Sequence, residues 1–175
     1  MFTSNLTIFR KDFLQANSWP QRKDGIPLDL LDNLSLKELK IAEREMIKAL
    51  SLTDTWSITG LGHIKSTGAI PKLYELLGSS SRGTRVTIAW SIFQICQDKK
   101  MVDIVLEEMP KIVSQYELID ILYMLPSFRD DKVNALLNNF RNHEEYLVAY
   151  NAARALGLST DAVVEEFRRK KTGTG

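Results

Sequence analysis

In the stretch TWSITGLGHIKSTGAIPKLYELL at residues 55–77, Gly60, Gly62 and Gly68 stand around Lys65. Glycine-rich loops with a lysine cradle phosphates, because bare backbone amides can approach the anion closely. The spacing argues against that chemistry. A dinucleotide fingerprint needs G-x-G-x-x-G between a strand and a helix. Counting from Gly60, the sixth position is Lys65, and WSIT is no convincing strand. A P-loop needs Gly-Lys-Ser/Thr, whereas Lys65-Ser66 follows Ile64. The same residues read as a helix, a turn and a second helix. On that reading Gly60 and Gly62 allow close helix packing and Gly68 supports the turn.

Other reactive types are sparse. His63 and His143 are the only histidines, 80 residues apart. A two-metal centre takes several imidazoles and carboxylates from facing helices, and the single pair His143-Glu144 cannot build one. Its expected place is a helix start, where Glu144 and Glu145 complement the dipole. Cys96, the sole cysteine, excludes an intrachain disulfide. It falls on the apolar side of IAWSIFQIC and is expected to be buried and inert. No G-x-S-x-G elbow occurs. These observations predict no catalytic residues, no metal and no cofactor.

Trp19, Trp56 and Trp90 could act as stacking platforms for nucleic acid. Trp56 and Trp90, however, lie near Ile58 and Ile88 in helical segments, where packing is their ordinary use. Lys and Arg total 23 against 22 Asp and Glu, a net charge of +1 that gives no footprint for a phosphate backbone. The basic run Arg168-Arg169-Lys170-Lys171 is expected to support a helix C-terminus. No apolar run approaches the ~20 residues that span a bilayer. The first residues, MFTSNLTIFRKDFLQ, lack a secretory pattern. The expectation is a soluble cytoplasmic protein without nucleic-acid or membrane partners.

The elements that carry these residues are helical. In SLKELKIAEREMIKAL, Leu36, Leu39, Met46, Ile47 and Leu50 share one face, and Ser35 with Glu38 forms a capping box. Thr53 or Asp54 can cap the next helix. Helix pairs then recur: WSITGLGHI with AIPKLYELLG, TIAWSIFQIC (87–96) with MVDIVLEEMPKIV, YELIDILYML with DDKVNALLNNF, and YLVAYNAARALG with DAVVEEFRRK. The anchors Leu61, Ile95, Leu125 and Leu156 are 34, 30 and 31 residues apart, a period typical of stacked repeats. Strand signals are nearly absent. Residues 1–34 read as an irregular cap, with Leu6, Phe9, Phe13 and Ala16 as a stripe and Trp19-Pro20 as a break. Residues 35–171 form the repeat domain and 172–175 a frayed tail.

The stretch LSLTDTWSITGLGHIKSTGAIPKLYELL resembles a HEAT repeat, in particular the bacterial HEAT-like type found in phycobilin lyases. Gly60-Leu61-Gly62 and Ala155-Leu156-Gly157 close first helices, and Ala69-Ile70-Pro71 opens a second. The resemblance covers about residues 35–170. The family's Val-Arg pair is missing, with only the reversed Arg85-Val86 near it. It implies an all-α, right-handed α-solenoid of about four helix pairs with an irregular N-terminal cap. Second helices then line the concave side. Their outward residues form the candidate partner-binding set: Lys72, Tyr74 and Glu75; Asp103, Glu107 and Lys111; Asn134, Asn138 and Arg141. Small HEAT proteins without a catalytic constellation resemble bacterial immunity proteins, which bind a cognate toxin and block its active site. The expectation is therefore a non-catalytic protein-binding module of that kind, its partner a toxin domain. The alternatives are a HEAT-like lyase, chaperone or nucleic-acid-acting enzyme, or an assembly scaffold.

Overall fold

The computed structural model of the chain describes residues 4–172. Among the described residues all regular structure is helical, with twelve α-helices and no strand. Residues group into two compact units. Unit 1 takes residues 1–80 and 91–97, and unit 2 takes residues 81–90 and 98–175.

Unit 1 begins with α1 (Asn5–Phe9), capped by Ser4, whose hydroxyl accepts from the Thr7 amide at 3.3 Å. It continues into a π-helical turn, Arg10–Leu14. The expected stripe is buried: Leu6, Phe9, Phe13 and Ala16 all face inward. The expected break at Trp19-Pro20 is instead the start of a one-turn helix, α2 (Trp19–Arg22). Proline fits there because first-turn amides have no intrahelical acceptor to lose. A second short helix, α3 (Asp29–Asp32), buries Leu31. Then comes α4 (Leu36–Ala49), opened by the expected box: the Ser35 amide donates to Glu38 Oε2 at 3.0 Å, and the Glu38 amide to Ser35 Oγ at 3.4 Å. The Ser35 hydroxyl lowers the Glu38 carboxyl below its ordinary range. The buried face of α4 is narrower than the apolar pattern suggested. Ala42 and Met46 are covered, while Leu36 in the first turn is 82% exposed.

Next, α5 (Trp56–His63) is the most enclosed element, with every residue from Trp56 to Gly62 buried. Asp54 accepts the Trp56 amide at 3.0 Å, but the N-cap residue is Thr55 and not the expected Thr53 or Asp54. Gly60 is required by packing: a Cβ there would come within 2.7 Å of Met46 Sδ and 2.8 Å of Phe13 Cζ. The chain turns through Thr67–Ala69 into α6 (Ile70–Ser79), with Pro71 in its first turn. The left-handed residue of this turn is Lys65, with φ 54°, and Gly68 has no such conformation. The Ser66 amide reaches back to the Leu61 carbonyl at 3.0 Å, closing α5 with a Schellman bond around Lys65.

α7 (Arg82–Cys96) starts five residues before the segment expected at 87–96. Arg82 to Trp90 belong to unit 2, and Ser91 to Cys96 to unit 1. Unit 2 continues with α8 (Lys100–Glu108), α9 (Gln115–Leu122), α10 (Asp131–Asn139), α11 (Tyr146–Ala155) and α12 (Asp161–Thr172). Short 3₁₀ turns follow α8, α9 and α10, at Met109–Lys111, Leu125–Phe128 and Phe140–Asn142. Asp130 caps α10 by accepting the Lys132 and Val133 amides at 2.9 and 3.3 Å. α11 ends on Gly157, φ 69°, where the Leu158 amide bonds the Ala153 carbonyl at 3.0 Å. Ala149, Ala153 and Val163 then form a small core between α11 and α12, flanked by Tyr150 and Phe167. Of the tail expected at 172–175, Thr172 closes α12, and residues 173–175 lie outside the described residues, as do residues 1–3.

Candidate functional site

The nine residues expected to meet a partner fall in both units. Lys72, Tyr74 and Glu75 lie on α6 in unit 1, where Lys72 and Glu75 pair at 2.6 Å and Tyr74 is 40% exposed. The other six lie in unit 2, on α8 and α10 and the turns that follow them. These helices pack against each other, burying Met101, Val102 and Val105 on one and Val133 and Leu137 on the other. Asp103, Glu107, Lys111, Asn134 and Asn138 are exposed and Arg141 half-buried. Several are already engaged. Lys111 bonds Glu107 at 2.9 Å and Glu108 at 3.0 Å, and Arg141 donates to Asn138 Oδ1 at 3.0 Å. The carboxylates of Glu107 and Glu108 raise the Lys111 ammonium above its ordinary value.

Glu108 was not anticipated. It is 6% exposed and accepts the Arg82 amide at 2.8 Å, supplying from α8 an acceptor for the start of α7. The Arg85 guanidinium lies 3.9 Å away. Burial pushes the Glu108 carboxyl up, but Lys111, the Arg82 amide and Arg85 together outweigh it and leave it lowered. Glu117 of α9 lies against Gly83 in the same turn of α7, so closely that a Cβ at Gly83 could not fit without moving it. One sequence signal pointed here: Glu108 falls in the apolar phase set by Val102, Val105 and Met109, where a carboxylate needs a partner.

A second feature is the outer face of α9. Leu118, Ile121 and Leu122 are buried, so Tyr116, Asp120 and Tyr123 (positions i, i+4 and i+7) point outward together. Tyr116 is 71% and Tyr123 47% exposed. The neighbouring helix α11, which packs on α9, presents Leu147, 43% exposed, and Arg154. Tyr123 Oη donates to Asn151 Oδ1 at 2.5 Å, and Asn151 Nδ2 donates to the Leu147 carbonyl at 2.7 Å. The Tyr123 ring is thereby held in one orientation. Asp120 has no hydrogen-bond or ion-pair partner among the described residues, and crowding by the surrounding protein raises its carboxyl above the ordinary range. The sequence signal was present: two tyrosines and an aspartate occupy the polar phase of an amphipathic helix.

The histidines, the cysteine and Trp90 have contacts of their own. His63 Nε2 meets Asp32 Oδ1 at 2.7 Å, and His143 Nδ1 accepts the Glu145 amide at 3.0 Å just before α11. Cys96 is exposed, contrary to the expectation of burial. As the last residue of α7 it has no following turn to cover it, and Ile92 and Phe93 take the buried positions. Its thiol donates to the Ile92 carbonyl at 3.2 Å. Trp56 is buried, Trp90 donates its indole N–H to Ser127 Oγ at 2.8 Å, and Trp19 is 77% exposed.

In unit 1 a shallow depression of about 450 Å³ is floored by Arg22 and Asp54. Arg22 is engaged there: Nε donates to the Ala16 carbonyl at 2.6 Å, Nη2 to Asp54 at 2.6 Å, and the guanidinium sits 4.4 Å from the Trp56 ring centre. In the basic run, Arg168 pairs with Glu165 at 3.1 Å and Lys170 with Glu166 at 2.7 Å, in the last turns of α12. The Lys171 side chain lies outside the described residues. Among the described residues no group of three or more His, Cys, Asp or Glu side chains is placed to hold a metal, and no helix is long and apolar enough to cross a membrane.

Comparison with family models, curated proteins and solved structures returned no match for the chain.

Proposed function

We propose that the chain is a non-catalytic module that binds another protein through unit 2. One observation carries the reading. Tyr116, Tyr123 and Leu147 turn large apolar surfaces to solvent on two helices that pack together. Grouped exposed aromatic side chains mark interaction sites, and tyrosines supply much of the energy at such interfaces. The tether from Tyr123 to Asn151 favours this role, since a ring already ordered loses less freedom on binding.

The finer architecture is a right-handed α-solenoid of about four HEAT-like pairs. It is supported by the recurring pairs in the sequence and by the left-handed residues Lys65, Gln97 and Gly157 within two residues of the ends of α5, α7 and α11. In such an array Asp103, Glu107, Lys111, Asn134, Asn138 and Arg141 face the concave side. The finer role, an immunity protein that occludes a bacterial toxin, rests on the HEAT resemblance and on that surface.

The test is affinity capture from the native host, followed by calorimetry with the purified partner. Tyr116→Ala combined with Tyr123→Ala should weaken binding on the order of a hundredfold, and Glu107→Arg with Arg141→Glu should weaken it further if the second surface contributes. A partner bound equally well by both variants would sink the surface assignment. A metal, pigment or nucleic acid copurifying in stoichiometric amount would favour the enzyme reading.

A further inference from the structure

The outer face of α9 has a chemistry that restricts its partner. Tyr116 and Tyr123 stand one turn before and one turn after Asp120, and residues three or four apart on a helix lie roughly 6 Å from each other. The other carboxylate of this helix, Glu117, lies against Gly83 and is turned to α7. Asp120 therefore lies one turn from each tyrosine on this helix, with no cation bonded to it among the described residues. A partner covering Tyr116 and Tyr123 must also cover Asp120. Without a compensating positive charge it would strand a desolvated carboxylate, which costs more than the rings return.

The same carboxylate disfavours two other occupants. Nucleic-acid phosphates and anionic lipid headgroups would be repelled by it, although tyrosines alone would suit either. Among protein cations the site discriminates further. A guanidinium is planar, stacks on aromatic faces and forks onto a carboxylate, whereas an ammonium is compact and more strongly hydrated.

Resting on the protein-binding reading above, we propose that Tyr116, Asp120 and Tyr123 form a receptor for an arginine side chain of the partner protein. The guanidinium donates to Asp120 and lies against one or both rings. The tether from Tyr123 to Asn151 keeps one wall of the receptor in place before the arginine arrives.

The test uses the whole chain, isotope-labelled for NMR, titrated with three short blocked peptides, Gly-Arg-Gly, Gly-Lys-Gly and Gly-Gln-Gly. The arginine peptide should shift the amides of residues 115–124 more than the lysine peptide does, and the glutamine peptide should leave them unmoved. Asp120→Asn should weaken the arginine response at least about tenfold, with Asp120→Glu retaining part of it. Far-UV circular dichroism and the thermal midpoint confirm that both variants fold. Equal responses to the arginine and glutamine peptides, or shifts confined to other helices, would overturn the proposal.

With the captured partner the two readings separate. If the double tyrosine variant loses the partner while Asp120→Asn keeps it, the chain binds protein but the arginine receptor is wrong. If the double tyrosine variant also keeps the partner, the broader reading falls with it.

Discussion

α5 and α9 are helices of eight residues each, yet solvent meets them in opposite ways. From Trp56 to Gly62, α5 is buried on all sides. In α9 only Leu118, Ile121 and Leu122 are buried, and Tyr116 and Asp120 lie open, followed by Tyr123. The cause begins in the sequences. WSITGLG carries nothing more polar than hydroxyls, and its glycine lets Phe13, Leu31 and Met46 come down on the helix backbone. QYELIDIL alternates phases, so only one side can be apolar. In unit 1 the N-terminal segment therefore covers α5 with Phe13 and Leu31. In unit 2 the aromatic residues Tyr116 and Tyr123 belong to α9 and its end and face outward. Closure within the chain gives stability, and an open face leaves its apolar surface to solvent.

The largest effect should come from the charge that orders unit 2. Glu108→Ala removes the acceptor of the Arg82 amide and leaves Lys111 and Arg85 facing the gap. Urea denaturation should show a loss of about 3 kcal/mol. A loss under about 0.5 kcal/mol would mean that the carboxylate does not hold the start of α7. Because the folded-state carboxyl is lowered, its contribution is present above the ordinary Glu range and lost as pH falls through the folded value. The counterpart in unit 1 is Gly60→Ala, which pushes a methyl group into Met46 and Phe13 and should cost about 2 kcal/mol. If that variant is as stable as the parent, the tight cover over α5 is not what distinguishes it from α9.

A smaller effect separates two helix ends of the same geometry. α5 closes around Lys65 at φ 54° and α11 around Gly157 at φ 69°. Gly157→Ala should cost about 1 kcal/mol, since the left-handed conformation strains any Cβ. Lys65→Gly should fall within about 0.5 kcal/mol of neutral, because relief of strain is offset by a freer unfolded chain. Thermal midpoints of the two variants check the pair.

Most helices after residue 35 could be read from apolar spacing, because burial of one face imposes a 3.6-residue period that sequence records directly. The segments for α5, α6, α10, α11 and α12 fall within about two residues of their observed bounds, whereas that for α8 runs past Glu108 into a 3₁₀ turn. What escaped depends on distant parts of the chain. The first turns of α7 carry Arg82-Gly83-Thr84-Arg85, with no apolar phase, and their start is set by Glu108, 26 residues away. Lys65, and not Gly68, bends the turn after α5, because a single left-handed residue is affordable where the Schellman bond compensates it. Of the six residues expected on the unit 2 face, Asp103, Glu107, Asn134 and Asn138 lie on two helices that pack together, and Lys111 and Arg141 lie on the turns after them, already engaged. The tyrosine face was overlooked because YELIDILYML was read for its buried phase alone. Which phase of a helix stays open is decided by what packs on it.

The smallest effect also gives the sharpest contrast within unit 2. Asp120 and Glu108 are shifted in opposite directions, Asp120 raised by crowding and Glu108 lowered by its partners. A raised folded-state carboxyl holds more protons than the unfolded chain between its ordinary value, 3.8, and the raised one. Stability from this group therefore falls as pH rises through that window, the reverse of Glu108. Asp120→Asn removes the dependence, so parent minus variant stability should decline from acid towards neutral pH. For Glu108→Gln the same difference should grow. Solvent reaches Asp120 and screens it, so the first slope is shallow, and it is read from chemical denaturation repeated at several pH values between 3 and 6. An Asp120 difference that rises with pH would mean that the carboxylate has a favourable partner in the folded chain. The proposal of an arginine receptor on the α9 face would then fall.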